Sequence, residues 1–599
     1  MQNEKKFFRK IEDLVICPQL QNLKALQLDL IGNYPQCQDL QNLGLAIKSC
    51  SNLSTLDLKF LWCLINNDKL SALGTAISYC YNLSTLQLEL GCNQIESKGL
   101  TDLCSAITNT KNSLKNLKLS FQQNPISDSG ISTIANSLVH LTDLSNLELN
   151  FGQCNLGDED LSCLFSCLSK SSKITDLNLN FYVNKIGPNG LQNIESALKN
   201  LTKISTFILN LGANNIGPQG ASYLGISLEN CTNISNLHLN LLGNLISNEG
   251  VSNLVTCFEK CTNLSMLTLQ LGDNQIEAQG IINLGQSLAK CTKLLSLILE
   301  VQWNKINDEG LQGLSNSLAN LTKLSTLVLN LYQNNIGSNG AASLGFALSG
   351  CVNLTTLSLN LSKNQIESNG ASNLSIGLSK CPKLQELHMQ LCLNEIKDEA
   401  LSTICSALSN CTTLSNLSID FRCNYIGEKD EGVLAQLDFT KISNLTLNLS
   451  NNKMGPETTS ALGLSFTKGS YLIALELEIC ESNIGSQGIL GLSLGLTSCL
   501  NLQNLSLILL RNNIGNEGAI SLGNSLEQCT NLQNLSLQLA DNNILNDGIL
   551  SLATSLANCE KLSNLSLYLD FNDINSQTQS QSVTRILKIK NLINKIIFF

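Results

Sequence analysis

At 599 residues, with 43% hydrophobic and 14% charged side chains, the chain is too long for one compact core and too apolar for disorder. Thirty-seven Lys and Arg against forty-seven Asp and Glu leave a net charge of −10, which argues against nucleic acid or an anionic membrane as the primary target and for a neutral or basic partner. Seven prolines provide no Pro-rich linker, so a repeat array is expected rather than a string of separate domains.

Residues 1–20 begin MQNEKKFFRKIEDL, charged throughout, with no apolar leader, and no later run has membrane-spanning length. A cytoplasmic protein without a membrane span is expected, with cytoskeletal association left open. Phe7, Phe8, Ile11 and Leu14 suit an N-terminal cap over the first repeat. From residue 21 to 575 the chain repeats LxxLxLxLxxNxI followed by a Gly and an apolar helical pattern. Aligned on the Asn of NxI, nineteen units follow at 30-residue spacing, with 31 between Asn93 and Asn124 and 28 between Asn424 and Asn452.

Period-two leucines predict a strand ahead of each Asn. Behind it, apolar residues at i, i+3, i+4 and i+7, such as Ile194, Ala197, Leu198 and Leu201, predict an amphipathic helix. Gly220, Gly250 and Gly340, six residues past their Asn, suit a turn or a close helix approach. The 28-residue unit with GEKDEG (Gly427 to Gly432) should have a shortened helix. Residues 576–599 open with SQTQSQS, an interruption of the pattern, and continue into a basic apolar stretch read as a C-terminal cap or docking helix.

This pattern resembles the leucine-rich repeat, in the long helix-containing subtype of ribonuclease inhibitor and the Ran GTPase activator. The resemblance implies an α/β leucine-rich-repeat solenoid, a horseshoe or spiral with its parallel sheet concave and its helices convex. It further implies a non-enzymatic scaffold or adaptor that binds a protein on that sheet. The alternatives it carries are a GTPase activator acting on a small GTPase, and a stoichiometric inhibitor of a basic enzyme. One extra Leu-x pair precedes the Asn here, which lengthens the strand without reversing its faces. The resemblance implies that the recurring Asn bonds backbone groups of adjoining turns, and Cys63, Cys154 and Ser482 are substitutes that can still donate.

Eleven of 24 cysteines share one helical column with Leu141, Leu201 and Leu321, so they read as small core hydrophobes rather than disulfides or metal ligands. Three histidines form no catalytic constellation, and no phosphate-binding or kinase motif occurs, so neither a catalytic residue, a cofactor nor a metal is assigned. The informative surface is the outward row of each strand. With the first Leu of LxL as zero, positions −1, +1, +3 and +5 carry eleven acids against Lys59, Lys118 and Arg422, a balance of −8. The +3 column is rich in Asn, which suits an amide ladder or a partner's backbone. The candidate protein-binding residues are Tyr182, Ile208, Leu242, Met266, Ile298, Glu300, Trp303, Val328, Asn330 and Tyr332, an apolar centre on an acidic, Asn-rich face.

Overall fold

The protein is described here by a computed structural model covering residues 5–110, 113–126, 128–428 and 432–599. It divides into two compact units, Met1–Asn304 and Lys305–Phe599. In the first, the strands are β1 (Lys5–Phe8), β2 (Ala25–Asp29), β3 (Thr55–Lys59), β4 (Thr85–Glu89), β5 (Asn116–Ser120), β6 (Asn146–Asn150), β7 (Asp176–Asn180), β8 (Thr206–Asn210), β9 (Asn236–Asn240), β10 (Met266–Gln270) and β11 (Ser296–Glu300). In the second they are β12 (Thr326–Asn330), β13 (Thr356–Asn360), β14 (Glu386–Gln390), β15 (Asn416–Asp420), β16 (Asn444–Asn448), β17 (Ala474–Glu478), β18 (Asn504–Ile508), β19 (Asn534–Gln538), β20 (Asn564–Tyr568) and β21 (Asn594–Phe598).

Within each unit, consecutive strands pair in parallel, and each residue faces its equivalent in the next repeat. In β7, Leu177 and Leu179 are fully buried while Asp176, Asn178 and Asn180 are half-exposed, the alternation expected of a sheet with one covered face. The extra Leu-x pair carries the ladder beyond the five regular residues: Leu211 N–H donates to Asn240 O at 2.8 Å and Ala213 N–H to Leu242 O at 2.7 Å. Phe121, Phe151 and Phe181 occupy the next inward position and stack at 5.8 Å per step.

Helices cover the other face. Gly217–Leu228 buries Ala221, Leu224 and Leu228, and a Cβ on Gly250 would lie 2.9 Å from Pro218 Cα, so that glycine permits the close helix approach. Cys50, Cys80, Cys231, Cys261, Cys291, Cys351, Cys381, Cys411, Cys499, Cys529 and Cys559, each just past the C-terminal end of a helical segment, are all buried free thiols. In the 28-residue unit a single 3-10 turn, Val433–Gln436, replaces the α-helix. Phe439 fills much of the gap by stacking on Phe466 at 5.4 Å, and a residual apolar void of about 20 Å³ remains beside Leu401, Phe421 and Leu434. Residues 429–431 of the GEKDEG segment lie outside the described residues.

The recurring Asn forms a spine. Asn364 Nδ2 donates to Leu331 O, Leu361 O and Ser362 O at 3.0, 2.9 and 3.2 Å, and its Oδ1 accepts Asn334 N–H and Ile336 N–H at 2.9 and 3.0 Å. Cys63 preserves only the donor half, bonding Leu30 O at 2.9 Å. The acceptor it lacks is not missed: the residue equivalent to Ile336 in the preceding repeat is Pro35, which has no N–H, and the residue equivalent to Asn334, Asn33, donates its N–H to Leu30 O at 2.9 Å.

The segment SQTQSQS, an interruption in the sequence pattern, lies within a helix, Ser576–Ile586, whose Thr578, Ser582 and Ile586 are buried. Asn575 caps it by accepting Thr578 N–H at 2.8 Å, and the apolar tail that follows becomes strand β21 rather than a helical stripe. Both terminal strands depart from the repeat in the same way. Lys6 stands opposite Leu26, and Lys595 opposite Leu565, each at a core column otherwise filled by apolar residues.

Candidate functional site

The outward columns of the first unit form a polar sheet face with its own internal order. The −1 and +1 columns frame a depression of about 430 Å³ between Gln87, Lys118, Glu148, Asp176, Asn178 and Ile208. The +5 column alternates large residue and glycine through nine repeats: Leu61, Gly91, Gln122, Gly152, Tyr182, Gly212, Leu242, Gly272 and Gln302. Strands about 4.8 Å apart leave too little room for a large side chain on every one. Leu61 and Gln122 close over Gly91, where a Cβ would come within 2.9 and 2.7 Å of them, and Leu242 and Gln302 close over Gly272 in the same way.

Both lysines of this face are paired with its acids. Lys118 Nζ lies 3.1 Å from Glu148 and 4.0 Å from Glu89, and Lys59 Nζ lies 3.8 Å from Glu89. Asp57, beside them, has a buried Oδ1 without a hydrogen-bond partner, and burial pushes its carboxyl up against the opposing pull of Lys59. Farther along, Gln270 Nε2 donates to Glu300 at 2.9 Å.

The expected binding residues fall in both units. Tyr182, Ile208, Leu242, Met266, Ile298, Glu300 and Trp303 belong to the first and Val328, Asn330 and Tyr332 to the second. In the first, Ile208 and Ile298 share one row but are separated by His238 and Thr268. That places them three strands, about 14 Å, apart. Ile208 and Ile298 therefore stand apart in this row, with polar residues between them. Tyr182 leans over Gly212, and Met266 is half-exposed at the start of β10. Trp303 is half-exposed at a left-handed rim position, φ 57°, shared with Trp62 and with Gly243. In the second unit, Lys363 Nζ sits 5.3 Å over the Tyr332 ring, and Asn330 Oδ1 accepts Tyr332 N–H at 3.2 Å.

The second unit has its own trough of about 410 Å³ lined by Asn444, Thr446, Glu476, Asn504, Ser506 and Asn534. An amide ladder does exist, but in the −1 column: Asn594 donates to Asn564, Asn564 to Asn534, and Asn534 to Asn504. The +3 asparagines do something else, accepting the backbone N–H two residues on. Glu476 and Glu478 project from the same face of β17, and burial together with Glu476 holds the Glu478 carboxyl above its usual range. Arg422, a base on this face, is held bidentately by Asp420, with Nη2 2.7 Å from Oδ2. The glycine alternation shows in the sequence as a 60-residue period; the side-chain-to-backbone turns and the depressions do not.

These features define the fold class as leucine-rich repeat: an α/β solenoid of parallel strands backed by helices. A family model described as leucine-rich repeat matches residues 82–104, 262–285, 290–315 and 352–375. No curated protein matches the chain. Among solved structures, a Leptospira interrogans leucine-rich-repeat protein is similar at 19% identity and TM-score 0.42, over 93% of this chain and 99% of that one. A complex of TLR13 with single-stranded RNA is similar at 19% identity and TM-score 0.34, over 96% of this chain and 86% of that one. Among the described residues, no helix is long and apolar enough to cross a membrane.

Proposed function

We propose that the protein is a non-enzymatic scaffold or adaptor that binds a neutral or basic protein partner on its sheet faces. Proteins built of leucine-rich repeats generally act as interaction scaffolds, and this chain supplies the display such a role needs. The observation that carries the reading is that Lys59, Lys118 and Arg422 each pair with an acid of their own face, so what remains available to a partner is negative. Charge of that kind raises association rate and selects against acidic competitors more than it adds affinity.

Cross-linking the full-length protein to a captured partner and mapping the links by mass spectrometry tests this. Links should fall on sheet-face residues, and Glu148→Lys together with Glu476→Lys and Glu478→Lys should weaken binding tenfold or more, with wild-type affinity falling as salt rises. Links confined to the helices, with affinity indifferent to these substitutions, would overturn the reading.

A further inference from the structure

The +3 asparagines of β7, β8 and β9 are oriented by their own backbone. Asn180 Oδ1 accepts Tyr182 N–H, Asn210 Oδ1 accepts Gly212 N–H and Asn240 Oδ1 accepts Leu242 N–H, each at 3.0 Å. Committing the oxygen fixes the amide and leaves the Nδ2 hydrogens as its remaining function. At two other positions of this column the nitrogen is also occupied: Asn150 Nδ2 donates to Ser120 and Gln122, and Asn448 Nδ2 donates to Glu478, whereas Asn330 and Asn360 of the second unit make the same turn as Asn180. Among the described residues, none provides an acceptor for Asn180, Asn210 or Asn240 Nδ2. Three consecutive strands therefore carry a row of donors about 5 Å apart.

Their surroundings say what would accept from them. Ile208, in the 430 Å³ depression, lies on one side, and Tyr182 and Leu242 stand on the other. The charges nearest in the depression are Glu148 with its Lys118, and Asp176, which makes the region weakly negative. A phosphate-rich or carboxylate-rich ligand would accept these hydrogen bonds but meet like charge, whereas the carbonyls of a peptide accept at no such cost.

We propose that β7–β9 seat an extended polypeptide segment, its main-chain carbonyls bound by Asn180, Asn210 and Asn240 and an apolar side chain entering the depression at Ile208. This rests on the sheet-face reading above and deepens it, since main-chain contacts hold the segment while flanking side chains select it.

The test exploits a substitution the chain already uses. Asp29 and Asp420 occupy the same column and make the same turn, accepting Ile31 N–H at 3.2 Å and Arg422 N–H at 2.9 Å. Asn→Asp therefore preserves the turn and replaces an outward donor with an acceptor. Random dodecapeptides displayed on phage would be selected on the full-length wild-type protein, and the winners measured against Asn210→Asp alone, the triple Asp variant and Ile208→Arg. The single variant avoids like charges on adjacent strands, and thermal melts verify its fold.

Peptides weakened about tenfold by Asn210→Asp, more by the triple variant, and also by Ile208→Arg support the proposal. Peptides weakened by Ile208→Arg but unchanged or tightened by the Asp variants overturn the donor row and leave the sheet-face reading standing. Peptides indifferent to all three, or a single-stranded oligonucleotide binding in their place and lost on Asn210→Asp, overturn it as well.

Discussion

Single residues in this protein are defined by what the neighbouring repeat offers them. Asn364 and Cys63 hold equivalent positions, yet the Asn satisfies two backbone N–H groups, whereas of the two equivalent positions beside Cys63 Pro35 has no N–H and Asn33 N–H already bonds Leu30 O at 2.9 Å. We predict that Asn364→Cys lowers stability by about 3 kcal/mol in urea unfolding, from two buried N–H groups losing this acceptor, while Cys63→Asn brings no comparable gain. Equal effects of the two exchanges would refute this pairing of donor and acceptor. Trp303 illustrates the other constraint on a residue, its backbone. At φ 57° a β-branched side chain is strained, and although the column carries Val183 at φ 54°, it also carries Gly243 at φ 63°. Trp303→Val should be less stable than Trp303→Gly by about 1–2 kcal/mol, although glycine is the more flexible residue. Melting curves giving the reverse order would show that the indole's packing, and not the left-handed backbone, sets the cost.

At the scale of elements, spacing decides. The helices Ser338–Leu348 and Glu367–Leu378 meet through Gly345 and Gly377, where a Cβ on Gly377 would fall 1.9 Å from Gly345 O. Gly463 and Gly495 repeat the arrangement between Gly455–Phe466 and Gly485–Leu496, again at 1.9 Å. No rotamer relieves a clash with backbone, so the helices must separate. Gly377→Ala should cost about 3 kcal/mol, read as a fall in melting temperature, despite alanine's better helix propensity. An unchanged or raised melting temperature would mean that the helix pair can slide apart freely. The same logic explains why large side chains alternate with glycine along the +5 column of the first unit. It also explains why the 28-residue repeat, with a 3-10 turn where its neighbours have a helix, draws Phe439 inward and keeps a small void.

At the scale of the whole molecule, stability rests on many equivalent buried positions, and their shared chemistry should appear in its pH dependence. Burial pushes the thiols of Cys80, Cys231, Cys291, Cys381, Cys499 and Cys559 to about 12, and those of Cys50, Cys351, Cys411 and Cys529 to about 11. A folded-state value raised above the unfolded one means that the native state retains protons the unfolded chain releases. The contribution is complete below pH 9, the ordinary thiol value, and is lost as pH rises toward 11–12. Stability should therefore fall steeply on the alkaline side. Replacing Cys381 with Leu, the residue at Leu141, Leu201 and Leu321 of this column, should make the fall shallower by up to about 1.4 kcal/mol per pH unit. A slope identical to wild type would exclude the thiols as its source.

The amino-acid sequence by itself determined the repeat, its strand and helix periods, the buried leucine and cysteine columns and the acidic excess of the outward rows, because each is a local periodicity that a single chain displays. It also named Asn364 and its equivalents as scaffold. Tertiary structure alone decided which side chains find partners across a 30-residue interval. That is why Asn180, Asn210 and Asn240 turn their oxygens to their own backbone, why the amide ladder runs through Asn504, Asn534 and Asn564 instead, and why Ile208 and Ile298 stand apart with His238 and Thr268 between them. The physical reason is that a hydrogen bond to the residue's own backbone and one to the adjacent strand compete for the same oxygen, and strand position, which composition does not encode, settles the competition.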